Sequence, residues 1–254
     1  MASLYQWKAW ARNVCARAGL RKRRRPDTAT KLLQRHQVDV VFDVGANKGQ
    51  YARDLLRMGY TGRIVSFEPQ SEAYHKLQAN AWGYANWRTE RFAIGDHDGP
   101  SLLNVAGNSQ SSSLLDMLPQ HLAAAPESHY VGQETIHVRR LDSIVDQYSR
   151  ADERCFLKLD VQGFEYAVLR GAERSLARCV GVQLEMSLVP LYGGELLFDK
   201  MLQKMSDLGY CLTSLSSGFA DPRTGQLLQV DGVFYHKQLM GLAGDDTWSG
   251  RHAA

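Results

Sequence analysis

From residue 38 onward, short apolar runs alternate with amphipathic stretches. The runs at 38–44, 63–67, 88–94, 155–160, 180–185, 210–215 and 232–236 are too short for buried helices, and they read as strands covered on both faces. Between them the apolar positions recur with helical spacing near 49–58, 71–81, 165–177 and 196–208. This alternation predicts an α/β fold, a mostly parallel open sheet with helices on both faces. The first three strand–helix steps are short, as βαβ units require. Residues 95–154 break the rhythm. Gly107-Asn108-Ser109-Gln110-Ser111-Ser112-Ser113 is polar and turn-rich, and 134–140 alternates like a strand. The stretch at about 97–153 therefore reads as an insertion before the fourth core strand of one domain spanning 31–238, with no internal repeats. Residues 239–254 read as a flexible tail.

The first 30 residues form a separate arm. Leu4, Trp7, Ala11, Val14 and Ala18 recur at three- and four-residue steps, followed by the cationic run 21–25 and the stop at Pro26. Charge sharpens the division. The chain has 30 Lys and Arg against 27 Asp and Glu, a formal +3. Residues 1–25 hold eight of those cations and no acid, which leaves 22 basic against 27 acidic residues, or −5, in the remainder. Two readings of the arm follow. One is an interfacial helix that meets anionic lipid in peripheral membrane contact, or steers an anionic substrate. The other is a helix packing its Trp face on its own domain, with a solvated basic linker behind it. The acidic body disfavours a general nucleic-acid coat protein. No apolar window approaches membrane-spanning length, and no secretory leader is evident. Cys15, Cys155, Cys179 and Cys211 show neither metal-ligand spacing nor a disulfide framework. They read as free thiols and point to the cytoplasm, with the arm at the inner membrane face.

The segment Phe42-Asp43-Val44-Gly45-Ala46-Asn47-Lys48-Gly49 carries the most chemistry. A buried strand ends in an acid, passes through a glycine turn and opens a helix. Gly45 lets backbone approach a ligand closely, and the helix after Gly49 offers unpaired N–H groups. Glu68, followed by Pro69, ends the next strand, where a carboxylate accepts from both ribose hydroxyls of a nucleoside cofactor. The spacing is GxxxG, with Asn47 where a dinucleotide fingerprint has glycine. Asp43 would repel a pyrophosphate but receive the ammonium of a methionine moiety. That charge logic favours S-adenosylmethionine over NAD.

Two middle strands carry charge where apolar residues are expected. Lys158 and Asp160 lie two apart and share a face, as do Gln183 and Glu185. Buried charge is costly unless paired, so these groups either form a structural network or meet a ligand. The ligand crevice of an open α/β sheet lies at the carboxyl ends of its strands, which puts Asp160 and Glu185 beside Asp43. Glu165 near a helix start reads first as a partner of the helix dipole, with a site role as the alternative, and Tyr192 in the loop 186–194 reads equally as a site or packing residue.

These residues resemble the FkbM-type S-adenosylmethionine-dependent methyltransferases. The matching pieces are Phe42-Asp43-Val44-Gly45-Ala46-Asn47-Lys48-Gly49-Gln50-Tyr51, Phe67-Glu68-Pro69, Ala93-Ile94-Gly95-Asp96 and Leu141-Asp142-Ser143-Ile144. They continue through Leu157-Lys158-Leu159-Asp160-Val161-Gln162-Gly163-Phe164-Glu165 and Val168-Leu169-Arg170-Gly171-Ala172 to Leu184-Glu185-Met186-Ser187 and Pro190-Leu191-Tyr192-Gly193. The resemblance implies a class I methyltransferase fold (Rossmann-like), a seven-stranded sheet whose last strand is antiparallel, and methyl transfer to a hydroxyl of a sugar, glycolipid or natural product. It implies that Asp43, Gly45, Asn47 and Gly49 hold the methionine part, with Ala46 in the same loop. It further implies that Glu68, with Pro69 beside it, holds the ribose and that Asp96 approaches the adenine amino group.

A sugar hydroxyl is a weak nucleophile at neutral pH, so a nearby base helps. Strand geometry nominates Asp160 or Glu185, with Lys158 setting the charge state and His137 as an alternative. An Asp160/Glu185 pair binding a divalent metal is the less favoured reading, because only two carboxylates are in view. Three rivals remain: a nucleic-acid methyltransferase using the basic arm, an NAD-dependent oxidoreductase, and a non-catalytic nucleoside-binding module. The first lacks the Asn/Asp-Pro-Pro-aromatic motif of amino-methylating enzymes.

Overall fold

The computed structural model describes residues 28–241. The basic arm and most of the expected tail lie outside the described residues. A helix, α1 (Thr28–Arg35), leads into the first strand, β1 (Val40–Val44), whose five residues are all buried. The chain steps outward through α2 (Gln50–Arg57), β2 (Arg63–Phe67), α3 (Ser71–Ala81) and β3 (Trp87–Glu90). It returns on the other side of β1 as β7 (Cys155–Leu159) and β8 (Cys179–Ser187), linked by α6 (Glu165–Arg170) and α7 (Glu173–Leu176). After α8 (Phe198–Asp207) come β9 (Tyr210–Ser217) and β10 (Gln229–His236). The sheet order is β3-β2-β1-β7-β8-β10-β9, parallel from β3 to β8, with β10 antiparallel to both its neighbours. This is the seven-stranded Rossmann-like architecture, with its strand order reversing between β1 and β7. Such a switch point opens a crevice at the carboxyl ends of those two strands.

Alternation along the strands divides the interior into two cores. Val40, Phe42 and Val44 of β1 join Leu157, Leu159, Val168 and Met205 on one face. Val41 joins Phe156, Leu33, Leu55 and Leu77 on the other. Helices α1 to α3 cover the second face, and α6 to α8 the first. Among the described residues no helix is long and apolar enough to cross a membrane. Cys155 and Cys179 are free and buried, in register on adjacent strands.

Three expectations change. The run 88–94 is two strands, because the chain bends at Arg91, whose guanidinium reaches Ser71 and Glu134 (2.6 and 3.0 Å). Beyond the bend, β4 (Ala93–Ile94) joins a second sheet, ordered β4-β6-β5, with β5 (Gly99–Ala106) and β6 (Tyr130–Arg139). That sheet is the framework of the expected insertion, which also holds the short helices α4 (Pro119–Ala124) and α5 (Leu141–Ile144). The helix expected over 165–177 breaks at Gly171, where a Cβ would stand 1.8 Å from the Gly95 carbonyl oxygen. Finally, β10 begins at Gln229 and not at residue 232, because Gln229, Val230 and Asp231 already pair with Ser187, Met186 and Glu185 of β8.

Candidate active site

A cavity of about 400 Å³ opens at the switch point, within the range of small-molecule sites. Its floor is the glycine turn after β1. Gly45, Asn47 and Gly49 all have left-handed backbone, with φ of 72°, 47° and 77°. A Cβ on Gly45 would lie 1.9 Å from the Asp160 carbonyl oxygen, so only glycine lets the β1 and β7 loops touch there. Gly45, Ala46 and Asn47 line the cavity. Gly49 stands back from it, against the side chains of Trp87 and Leu77, and sets how closely α2 packs on β3 and α3.

Glu68 and Pro69 line the adjoining wall with Phe67, Ala93, Ile94 and Leu103. The Asn47 and Gln70 amides donate to the two oxygens of Glu68 at 2.8 and 2.9 Å. Burial pushes the Glu68 carboxyl up to about 7, against the pull of those two bonds. The serine-rich stretch of the insertion forms the roof, with Ser109, Gln110, Ser112, Ser113 and Leu114 facing the cavity. Asn47 Nδ2 holds it through the Ser109 carbonyl (3.0 Å), and Ser113 Oγ donates to the Gln162 carbonyl (2.7 Å). The Asn47 side-chain oxygen is buried without a partner.

A polar row crosses the sheet beneath the floor. Ser66, Asp43, Lys158 and Gln183 are lateral neighbours on β2, β1, β7 and β8. Asp43 is fully buried and does not reach the cavity. Its Oδ2 accepts from Ser66 Oγ at 2.9 Å, and its Oδ1 lies 3.2 Å from Lys158 Nζ. Direct receipt of a ligand ammonium, expected of Asp43, therefore finds that carboxylate already occupied by Lys158. Lys158 also lies 3.4 Å from Asp160 Oδ2 and donates to the Gly45 carbonyl at 3.2 Å. Burial alone would lower its pKa, but Asp160 and Asp43 outweigh it and hold the ammonium charged.

The opposite end of the cavity is acidic. Asp160, Glu185 and Asp231 all line it, and Glu185 and Asp231 are register partners on β8 and β10. Burial drives the Glu185 carboxyl well above its ordinary value, and Asp160, Glu165 and Asp231 add to the rise. Gln162 Nε2 bridges Asp160 Oδ1 and Glu185 Oε2, each at 2.9 Å. Gln229 Nε2 donates to the same Glu185 oxygen at 3.0 Å. Asp160, Glu185 and Lys158 thus meet as strand geometry expected.

Other expected residues lie elsewhere. Asp96 is outside the cavity wall, its carboxylate taken by Arg170 and by His97 Nδ1. His137 sits on the exposed side of β6, opposite Pro100. Tyr192 is buried under the rim and bonds Gln162. Glu165 accepts from the Val161 amide at 2.9 Å, closing its own turn. Among the described residues no group of three or more metal-ligating side chains forms. The sequence alone singles out neither Asp231 nor Gln162 as a site residue, although Gln162 stands within the family motif. The alternation Gln229-Val230-Asp231-Gly232-Val233 was a signal for the first. For the second there was its place in a glycine turn.

Comparison with known proteins supplies a family. The Methyltransferase FkbM domain matches residues 43–212. The 2-O-methyltransferase NoeI of Sinorhizobium fredii is 27% identical over 165 residues, covering 62% of this chain and 67% of that protein. The AMB antimetabolite synthetase AmbE of Pseudomonas aeruginosa is 27% identical over 179 residues, 58% of this chain, which spans only 8% of that protein. Among solved structures, an rRNA methylase from Streptococcus thermophilus aligns with a TM-score of 0.44 at 14% identity, over 85% of this chain and 99% of that one.

The buried pair makes a stability test. Lys158→Met leaves Asp43 uncompensated and is expected to lower the unfolding free energy by about 3–5 kcal/mol. Adding Asp43→Asn should recover part of that loss. Urea denaturation measures both, and a loss below about 1 kcal/mol for the single variant would show that the pair contributes little.

Proposed function

The chain belongs to the FkbM methyltransferase family and is an S-adenosylmethionine-dependent methyltransferase; from that premise we propose that it methylates oxygen, on a hydroxyl of a sugar, glycolipid or other polyhydroxylated natural product. The observation that carries this reading is the acidic end of the cavity. Asp160, Glu185 and Asp231 are acceptors for O–H groups, with side-chain amides beside them. The same carboxylates repel a phosphate backbone, which weighs against a nucleic-acid acceptor. Transfer to oxygen is further favoured by the similarity to NoeI, a 2-O-methyltransferase.

The residues present fit the cofactor. Glu68 stands at the cavity wall for the ribose hydroxyls, beside an apolar surface of Phe67, Pro69 and Ile94 suited to a flat base. The unpartnered oxygen of Asn47 offers an acceptor to the ammonium of the methionine moiety. S-adenosylmethionine, when bound, supplies a methyl group already activated on a sulfonium. The protein's own work is then to orient one hydroxyl, exclude water and take one proton. Glu185 or Asp160 takes that proton, and Lys158 balances the charge beneath them.

Three outcomes test this reading. Incubated with isotopically labelled S-adenosylmethionine and a panel of free sugars, lipid-linked sugars, amines and RNA, the enzyme is expected to form an alkali-stable methyl ether on a hydroxyl acceptor, detected by mass spectrometry. Label appearing only on nitrogen or on RNA overturns the O-methylation reading.

Ribose hydroxyls donate best to an ionised Glu68, so cofactor binding favours the deprotonated form. Affinity should be full above about pH 7 and fall by up to about tenfold per unit below it. Glu68→Gln should bind more weakly and lose this slope. Calorimetry that finds one affinity across the range removes the ribose role.

Residues 1–25 are proposed to bring the enzyme to anionic lipid through their eight cations. Deleting them is expected to reduce cosedimentation with phosphatidylglycerol vesicles and leave cofactor affinity intact. Equal lipid binding by the shortened chain removes that role.

A further inference from the structure

The two carboxylates nominated as base are not equivalent, and the difference lies in Gln162. This residue occupies the turn between β7 and α6 with left-handed backbone, φ 56°, a conformation that a non-glycine residue holds only when its surroundings impose it. Four hydrogen bonds do so. Ser113 Oγ takes its carbonyl at 2.7 Å, Tyr192 OH donates to its Oε1 at 2.7 Å, and its Nε2 reaches Asp160 Oδ1 and Glu185 Oε2. Tyr192 packs under the neighbouring glycine, where a Cβ on Gly163 would lie 2.8 Å from the Tyr192 Cβ. The Tyr192 hydroxyl is 3.5 Å from the Ser111 carbonyl, so Gln162 is its short bond. In this orientation the amide oxygen accepts from the phenol and the NH₂ meets the two carboxylates; reversed, the amide oxygen would face the Asp160 and Glu185 oxygens as one more acceptor.

The consequence falls differently on the two acids. Asp160 has both oxygens engaged, Oδ1 by Gln162 and Oδ2 by Lys158. Glu185 has Oε2 held twice, by Gln162 and Gln229, and Oε1 makes no hydrogen bond among the described residues. We propose that Gln162, oriented by Tyr192, is a positioning residue that anchors Glu185 through Oε2 and leaves Oε1 as the atom that takes the proton of the acceptor hydroxyl. The inference rests on the O-methylation reading. In the step, the hydroxyl oxygen forms its bond to the methyl carbon, the methyl–sulfur bond breaks with its electron pair left on sulfur, and the hydroxyl proton passes to Oε1.

The groups facing Glu185 set the sign of the test. Lys158 and Asp160 come from β7 and the turn after it, Glu165 from α6, Asp231 from β10, and Tyr192 from the loop before α8. Four of these five are acids or a phenol, so the amide donors of Gln162 and Gln229 are the near groups that favour ionised Glu185 besides Lys158. Gln162→Leu removes one donor, and Glu185 then keeps its proton to higher pH. The acid limb of kcat/KM should move upward by about one pH unit, and Tyr192→Phe should move it in the same direction by less. Glu185→Gln should lose at least about 100-fold in kcat with cofactor affinity within about threefold.

A second measurement does not depend on turnover. Carbon-13 NMR of labelled Glu carboxyls, assigned with Glu185→Gln, follows Glu185 directly in the acceptor-free protein. Its midpoint should rise in Gln162→Leu and Tyr192→Phe, both verified as folded by thermal melting. An unmoved midpoint in both variants overturns the clamp, and wild-type kcat in Glu185→Gln overturns Oε1 as the proton acceptor. If no hydroxyl is methylated, O-methylation itself fails, and the NMR midpoint still decides the clamp.

Discussion

One ammonium group, that of Lys158, sets the architecture of the cavity. It lies in the sheet interior at the point where the strand order reverses, with Asp43 on one side and Asp160 on the other. Taking two charges from water costs several kcal/mol each, and the cost is offset only if every polar atom finds a partner. Here Ser66 supplies the far side of Asp43, Trp87 Nε1 holds Ser66 at 2.9 Å, and the Gly45 carbonyl takes a bond from Lys158. The row runs laterally through an otherwise apolar sheet. It fixes β1 against β7 in register, and so fixes the glycine turn against the Asp160 loop.

The roof depends on the floor in turn. The serine-rich stretch belongs to the insertion, yet its attachments run to Asn47 in the glycine turn and to Gln162 beyond β7. The second sheet supplies the stiffness for this reach. Its small core of Ala93, Leu103, Ile136 and Val138 also packs Leu114, one of the roof residues. The insertion thus closes over the cavity from a fixed base and bonds to both sides of the switch point.

The sheet was legible in the sequence because central strands must be apolar on both faces. The ends of β2 and α3 coincide with their apolar and periodic patterns, and β1 and β7 come within two residues. The same rule exposed Asp43, Lys158, Asp160 and Glu185, since charge inside such a strand demands a reason. It failed where two constraints shared a run. Residues 88–94 are apolar throughout their buried positions, but the bend at Arg91 comes from tertiary bonds to Ser71 and Glu134, which no local pattern encodes. It failed again at Asp231, because a polar start to a strand reads as loop until its antiparallel partner is known. Gln162 was invisible for another reason: its role comes from Tyr192, thirty residues away in sequence. Asp96 is the converse case, a position carried by motif whose carboxylate pairs with Arg170 outside the cavity wall.

The place of β10 between β8 and β9 has a consequence for how the enzyme comes into being. The wall formed by Gly45, Ala46, Asn47 and Glu68 derives from β1 and β2, early in the described chain, and its strands pair with one another directly. Asp231 and Gln229 belong to the tenth strand, the last in chain order among the described residues, which lies between β8 and β9 and is the only partner of β9 there. During synthesis the glycine turn, Asp160 and Glu185 all emerge before Gln229 and Asp231. Until β10 inserts, Glu185 lacks one of its two amide anchors and its facing carboxylate. The acidic end of the cavity is therefore complete only once the last strand of the sheet is in place.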